Sequence, residues 1–155
     1  MKINILAIGK TSEKYLLEGI DIYVKRLKHY TNLEIITIAD VKAVNDKNQL
    51  KEKEGEQIIK YIKEDDFVIL CDERGQMLKS HELADLFSKK MVDATKRIIF
   101  IIGGAFGVSL QISKRADLIL SLSKMTFSHQ MIRLFLVEQI YRGFTIIKNE
   151  KYHNE

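Results

Sequence analysis

Two short stretches hold most of the residues that could do chemistry. The first, Gly103-Gly104-Ala105-Phe106-Gly107, carries three of the chain's eight glycines and follows the apolar run Ile98–Ile102. Glycines in such a place let a ligand approach the backbone with no side chain between. The spacing is neither the G-x-G-x-x-G of a dinucleotide site nor the Gly-Lys-Ser/Thr of a P-loop. A ligand cradle and a bare strand-to-helix turn both fit it. The second stretch, Ser123-Lys124-Met125-Thr126-Phe127-Ser128-His129-Gln130, follows the apolar run Leu118–Leu122. His129 stands beside a helix start, where an imidazole can orient a substrate or move a proton, or simply bond into the first turn. Arg133 and Arg142 follow among apolar neighbours. Each can neutralise a phosphate with its planar fork of donors, or serve the fold alone. The tail brings Tyr152 and His153, an aromatic ring and an imidazole able to stack on a base or hydrogen-bond to one.

Other chemistries lack their residues. Cys71, the single cysteine, ends an apolar run and reads as a small hydrophobe. His29, His81, His129 and His153 show no ligand spacing, and no Cys/His cluster accompanies them, so no metal site is expected. No Ser-His-Asp order and no convincing carboxylate pair stands out.

The elements that must position these loops alternate in kind. Ile3–Ile8, Leu33–Ile38, Phe67–Cys71, Ile98–Ile102 and Leu118–Leu122 read as strands, and continuous apolar runs of this sort suit strands buried on both faces. Helices are expected from Thr11 or Ser12 as N-cap, from about Asn48 to Lys63, from Ser80, over about Ser109–Ala116 and over about Ser128–Ile147. In the first helix Tyr15, Ile22, Leu27 and Tyr30 are expected inward; in the second Ile58, Ile59 and Ile62; in the third Leu83, Leu86, Phe87 and Met91. Asp40–Gln49 reads as a surface loop, KEKEGE as a solvated face and Asp72-Glu73-Arg74-Gly75 as a turn. The alternation argues for an α/β fold, a mainly parallel sheet with helices on both faces. Two loops leaving one end of such a sheet lie side by side, where open α/β sheets bind ligands.

Composition sets the class. The 155 residues make one domain, with 46% hydrophobic and 30% charged residues, ordinary for a soluble globular chain. No apolar run approaches the roughly 20 residues of a membrane span. The N-terminus is strand-like, with no secretory signal pattern, and one cysteine excludes an internal disulfide framework; both favour the cytoplasm. A net charge of +4 permits a nucleic-acid partner without requiring one. The last helix is apolar nearly all round, so it is buried on more than one side. Either a second copy of the chain covers one side, giving a homodimer, or the helix is central in a monomer.

On the opening ILAIGK, CDERG, FIIGGAFG, LSLSKMTFSHQMIRLFLVEQIYRGF and the final KYH, the full length resembles the SPOUT-class RlmH (YbeA-type) methyltransferases. That resemblance implies S-adenosyl-L-methionine as methyl donor and N3 of a pseudouridine in 23S, large-subunit ribosomal RNA as acceptor, on the assembled ribosome. It implies a single SPOUT domain over residues 1–155, a C-terminal trefoil knot, and an obligate homodimer with each active site at the subunit interface. Cofactor contacts fall on Cys71, Gly103, Leu122, Ser123, Lys124, Met125, Thr126 and Phe127. The substrate side falls on His129, Arg142, Tyr152 and His153. Relatives often carry leucine at Cys71, proline at Ser128 and more polar residues at Ala105-Phe106. The competing classes are a non-catalytic RNA- or ribosome-binding dimer of the same fold, and a nicotinamide oxidoreductase, which the absent G-x-G-x-x-G speaks against.

Overall fold

Apolar runs with no polar alternation dictate a sheet covered on both sides, and a computed structural model, which describes residues 1–41 and 46–153, has that form. Five strands, β1 (Lys2–Ile8), β2 (Asn32–Ile38), β3 (Phe67–Met77), β4 (Arg97–Ile102) and β5 (Leu118–Ser121), alternate with five helices. These are α1 (Lys14–Leu27), α2 (Lys47–Ile59), α3 (Ser80–Val92), α4 (Leu110–Arg115) and α5 (Met131–Ile147). The sheet order is β2-β1-β4-β3-β5, and every pair is parallel. Central β4 sends Ile98, Phe100 and Ile102 to one face and Ile99 and Ile101 to the other. Residues of α1, α3 and α5 complete the first core, around Phe87, Leu136 and Phe144; Ile58 of α2 and Ile112 of α4 complete the second.

The apolar girth of α5 is used within the chain. It lies against the sheet with α3 on one flank, where Phe87 and Phe144 stack at 5.4 Å, and α1 on the other, where Tyr23 and Tyr141 meet at 5.8 Å. Phe135, 40% exposed, is the large apolar side chain that this packing leaves out.

Several expectations are corrected by longer-range partners. Neither Thr11 nor Ser12 caps α1, which is preceded by Glu13 with no side-chain cap. Thr11 Oγ1 instead accepts from Arg133 Nη1 at 2.8 Å, and the Ser12 backbone N–H donates to Gln130 Oε1 at 2.8 Å. Tyr15 and Ile22 face outward, while Leu16, Ile20 and Leu27 are buried. Met91 is likewise exposed at the end of α3. Asp46 caps α2 by accepting from Gln49 N–H, so the expected loop ends earlier; its residues 42–45 lie outside the described residues. Within KEKEGE, Glu54 is buried rather than solvated.

The largest correction concerns Asp72-Glu73-Arg74-Gly75, which does not reverse the chain. β3 continues to Met77 through a bulge, so that Cys71 and Gln76 both pair with Leu120. Gly75 permits this, because a Cβ there would sit 2.6 Å from the carbonyl carbon and oxygen of Ile119. Backbone cannot yield as a side-chain tip can. Gly75→Ala is therefore expected to destabilise the protein by about 1–3 kcal/mol, the usual range for overpacking, read as a lower urea midpoint.

Candidate active site

Parallel strands deliver their carboxyl ends to one edge, and the loops leaving β3, β4 and β5 enclose a cavity of about 600 Å³ there. Ile102, Leu120, Leu122, Phe127 and Ile132 give it apolar walls; the backbone of Gly103 to Gly107 and the side chains of Asp72, Glu73 and Arg74 give it a polar side. Cys71, Gly103, Leu122, Ser123, Met125, Thr126 and Phe127 line this one space, as does His129. Lys124 belongs to the same loop and is exposed beside it. Burial pushes the Cys71 thiol up to about 12, so it stands as a neutral wall and not as a nucleophile.

The loops brace one another. Ser121 Oγ donates to the Ser123 carbonyl at 2.8 Å, and Ser123 Oγ accepts from Met125 N–H at 2.9 Å, folding the second loop on itself. Thr126 Oγ1 donates to Glu73 Oε2 at 2.6 Å and so ties that loop to the β3 bulge. Arg74 clamps Asp72 through two parallel bonds, Nε at 2.9 Å and Nη2 at 2.8 Å, and these hold the Asp72 carboxyl below the ordinary carboxylate range. Ser128 Oγ accepts from Met131 N–H at 3.1 Å, so serine starts α5 well enough without a proline.

Two groups that sequence reasoning undervalued stand behind the loops. Glu54 reaches from α2 to Gly104, where a Cβ would lie 2.9 Å from its Oε2, so the carboxyl packs directly on the glycine backbone. Burial first, and Asp40 second, push the Glu54 carboxyl above its usual value. Nothing in KEKEGE distinguishes Glu54 from its solvated neighbours. Arg133 is 1% exposed and donates from Nη2 to the Ile8 carbonyl and from Nη1 to Thr11. Burial, then the charge of Arg133, lowers His129 below the usual histidine value, so its imidazole is neutral at physiological pH.

Arg142, Tyr152 and His153 are brought together elsewhere. They gather on the flank of α5 with Glu138, His81 and Tyr23, and none of them lines the cavity. Glu138 and Arg142 were legible as an i, i+4 pair within EQIYR. No group of three or more His, Cys, Asp or Glu placed to hold a metal ion occurs among the described residues. No helix among them is long and apolar enough to cross a membrane.

Known proteins give this geometry a context. A family model described as "Predicted SPOUT methyltransferase" matches residues 1–153. A Ribosomal RNA large subunit methyltransferase H from Christiangramia forsetii is 49% identical, covering 99% of each chain. The crystal structure of tRNA (m1G37) methyltransferase from Aquifex aeolicus superimposes with a TM-score of 0.57 at 15% identity, over 100% of this chain and 76% of that one. A putative methyltransferase from Legionella pneumophila in complex with the bound cofactor SAM gives 0.50 at 13% identity, over 92% and 66%. At such identities these two structures speak for the fold alone.

Two titrations test the electrostatics. Ring NMR of His129 is expected to give a midpoint below the ordinary value of about 6.5; a midpoint at or above it contradicts the burial and the Arg133 field. A carboxyl raised by folding contributes stability below its unfolded value and loses it as pH rises through the folded one. Glu54→Gln is therefore expected to raise the thermal midpoint by a few degrees near neutral pH and to leave it unchanged below about pH 4.

Proposed function

The chain belongs to the SPOUT methyltransferase family, and on that premise we propose that it methylates N3 of a pseudouridine in 23S, large-subunit ribosomal RNA, with S-adenosyl-L-methionine as donor. The single domain of residues 1–155 works in the cytoplasm, on the assembled ribosome, as a homodimer whose C-terminal half is threaded as a trefoil knot. The observation that carries this reading is the joining of the glycine loop with Leu122, Ser123, Met125, Thr126 and Phe127 around one cavity. The name of the 49% identical relative supports the ribosomal RNA substrate.

The cavity suits the donor by its chemistry. Its apolar walls can take a planar adenine, and the Glu73 carboxylate, beside an Asp72 already paired with Arg74, leaves it a net negative side compatible with a sulfonium. Cys71, Gly103, Leu122, Ser123, Met125, Thr126 and Phe127 would hold that group, with Lys124 at the rim. When bound, it supplies a methyl carbon on positively charged sulfur, already activated for displacement. The protein must then fix N3 in line with that carbon and dispose of its proton. Positioning of this kind supplies much of the rate in a bimolecular displacement. His129, which lines the cavity and has its value lowered by burial, would accept the N3 proton as the nitrogen's electron pair closes on carbon; that lining position is what supports the role. Arg142, Tyr152 and His153 lie away from the cavity of their own chain. In a dimer the second subunit would bring its own set to the first subunit's cavity, completing the RNA side.

The test is methyl transfer from labelled S-adenosyl-L-methionine to intact ribosomes, free large subunits and naked RNA, with mapping of the modified base. Label at N3 of a pseudouridine, chiefly on intact ribosomes, is expected. Absence of label on all three substrates would leave a non-catalytic ribosome-binding dimer. His129→Ala is expected to lower kcat by about 10²–10⁴, the usual worth of a general base, with donor affinity little changed.

A further inference from the structure

Two carboxylates hold the tail of this chain: its own Glu150 accepts from the Tyr30 hydroxyl, and Glu138 of α5 gathers the residues beyond. Glu138 Oε1 accepts from Arg142 Nε at 3.0 Å, from Arg142 Nη2 at 2.5 Å and from the Tyr152 hydroxyl at 3.1 Å. Its Oε2 accepts from Gln139 Nε2 at 2.7 Å, and Gln139 Oε1 accepts from Ser80 Oγ at 2.8 Å, which ties the cluster to the start of α3. The proton directions follow from what each group can do. An ionised carboxylate only accepts, so the Tyr152 hydroxyl spends its single proton on Glu138. The 3.2 Å contact between the Tyr23 and Tyr152 oxygens must then run from Tyr23. Burial, the bond from Tyr23 and the nearby Glu138 charge raise the Tyr152 phenol, keeping it a donor at any physiological pH.

The same logic fixes a tautomer. Arginine has no acceptor, so the 3.2 Å contact from Arg142 Nη1 requires a lone pair on His153 Nδ1. The His153 proton therefore sits on Nε2, where it faces His81 Nε2 at 3.1 Å and is donated to it. Both nitrogens of His153 are engaged, and the ring is an oriented donor, not a base.

We propose that Glu138 is a positioning residue for the RNA side of the site: by pinning Arg142 and Tyr152 it docks the tail and, through Arg142, sets His153 in a single tautomer against His81. This rests on the reading of the tail as substrate-facing. Its mechanical half, docking and tautomer, stands independently of that reading.

The experiment separates the two. Two-dimensional proton–nitrogen spectra of the histidine rings are expected to show wild-type His153 protonated at Nε2 alone. In Glu138→Gln, which keeps the shape and removes the charge, mixed tautomers and faster amide exchange at Tyr152 and His153 are expected. The Gln variant should raise KM for ribosomal substrate by about tenfold or more while donor affinity stays within about twofold, and Glu138→Asp should recover part of the loss. An Nδ1-protonated or mixed His153 in the wild type overturns the proposal, and needs no variant to fold. A folded Gln variant with unchanged tautomer and unchanged KM overturns it as well. If the wild type transfers no methyl group but the ring spectra behave as expected, the methyltransferase reading fails and the docking role stands.

Discussion

A guanidinium buried in the first turn of α5 is the constraint on which the site depends. Arg133 is almost wholly enclosed, forms no ion pair among the described residues, and satisfies itself on the Ile8 carbonyl and the Thr11 hydroxyl. Its Nε is the one buried side-chain nitrogen or oxygen among the described residues with no partner. Burying an unpaired cation costs of order several kcal/mol, so the neighbouring core must hold it in place. What the fold gains is registry. The end of β1, the turn into α1 and the start of α5 become one unit, reinforced by Gln130 on Ser12. His129, one turn before Arg133, lines the cavity, and burial, with the charge behind it second, lowers its imidazole below the usual histidine value.

Around this unit the site divides its labour between elements of different stiffness. The sheet supplies fixed strand ends, since β3, β4 and β5 are held by parallel ladders and central β4 is buried on both faces. The loops supply shape, and they are held by short polar contacts: Thr126 to Glu73, Ser123 on itself, Arg74 to Asp72. Glu54 closes the back of the glycine loop from the opposite helical layer. The flank of α5 forms a separate polar cluster centred on Glu138, physically removed from the cavity.

The sequence revealed the layers because period and burial leave a mark in composition. RIIFII and FVILC admit little but a doubly covered strand, and Gly103 through Gly107 had to be a loop. It failed where a distant partner overrode a local signal. Thr11 looked like a helix cap and is a ligand of Arg133; DERG looked like a turn and is a bulge held open by Gly75 against β5. Glu54 looked solvated because Gly104, the backbone it packs on, is 50 residues away. That the glycine loop and residues 122–129 share one pocket followed from two loops leaving the same end of a parallel sheet; Cys71 as a wall of that pocket came from resemblance alone, because a lone cysteine ending an apolar run reads as core.

The central claim is that the cavity at the ends of β3, β4 and β5 is the donor site. Titrating S-adenosyl-L-methionine into the nitrogen-15-labelled protein and following backbone amides tests it most directly. The account predicts saturable shifts concentrated in Gly103–Val108 and Leu122–His129, with the Lys28–Leu33 cleft on the far side unaffected. Shifts confined to that cleft, or none at saturating donor, would contradict it.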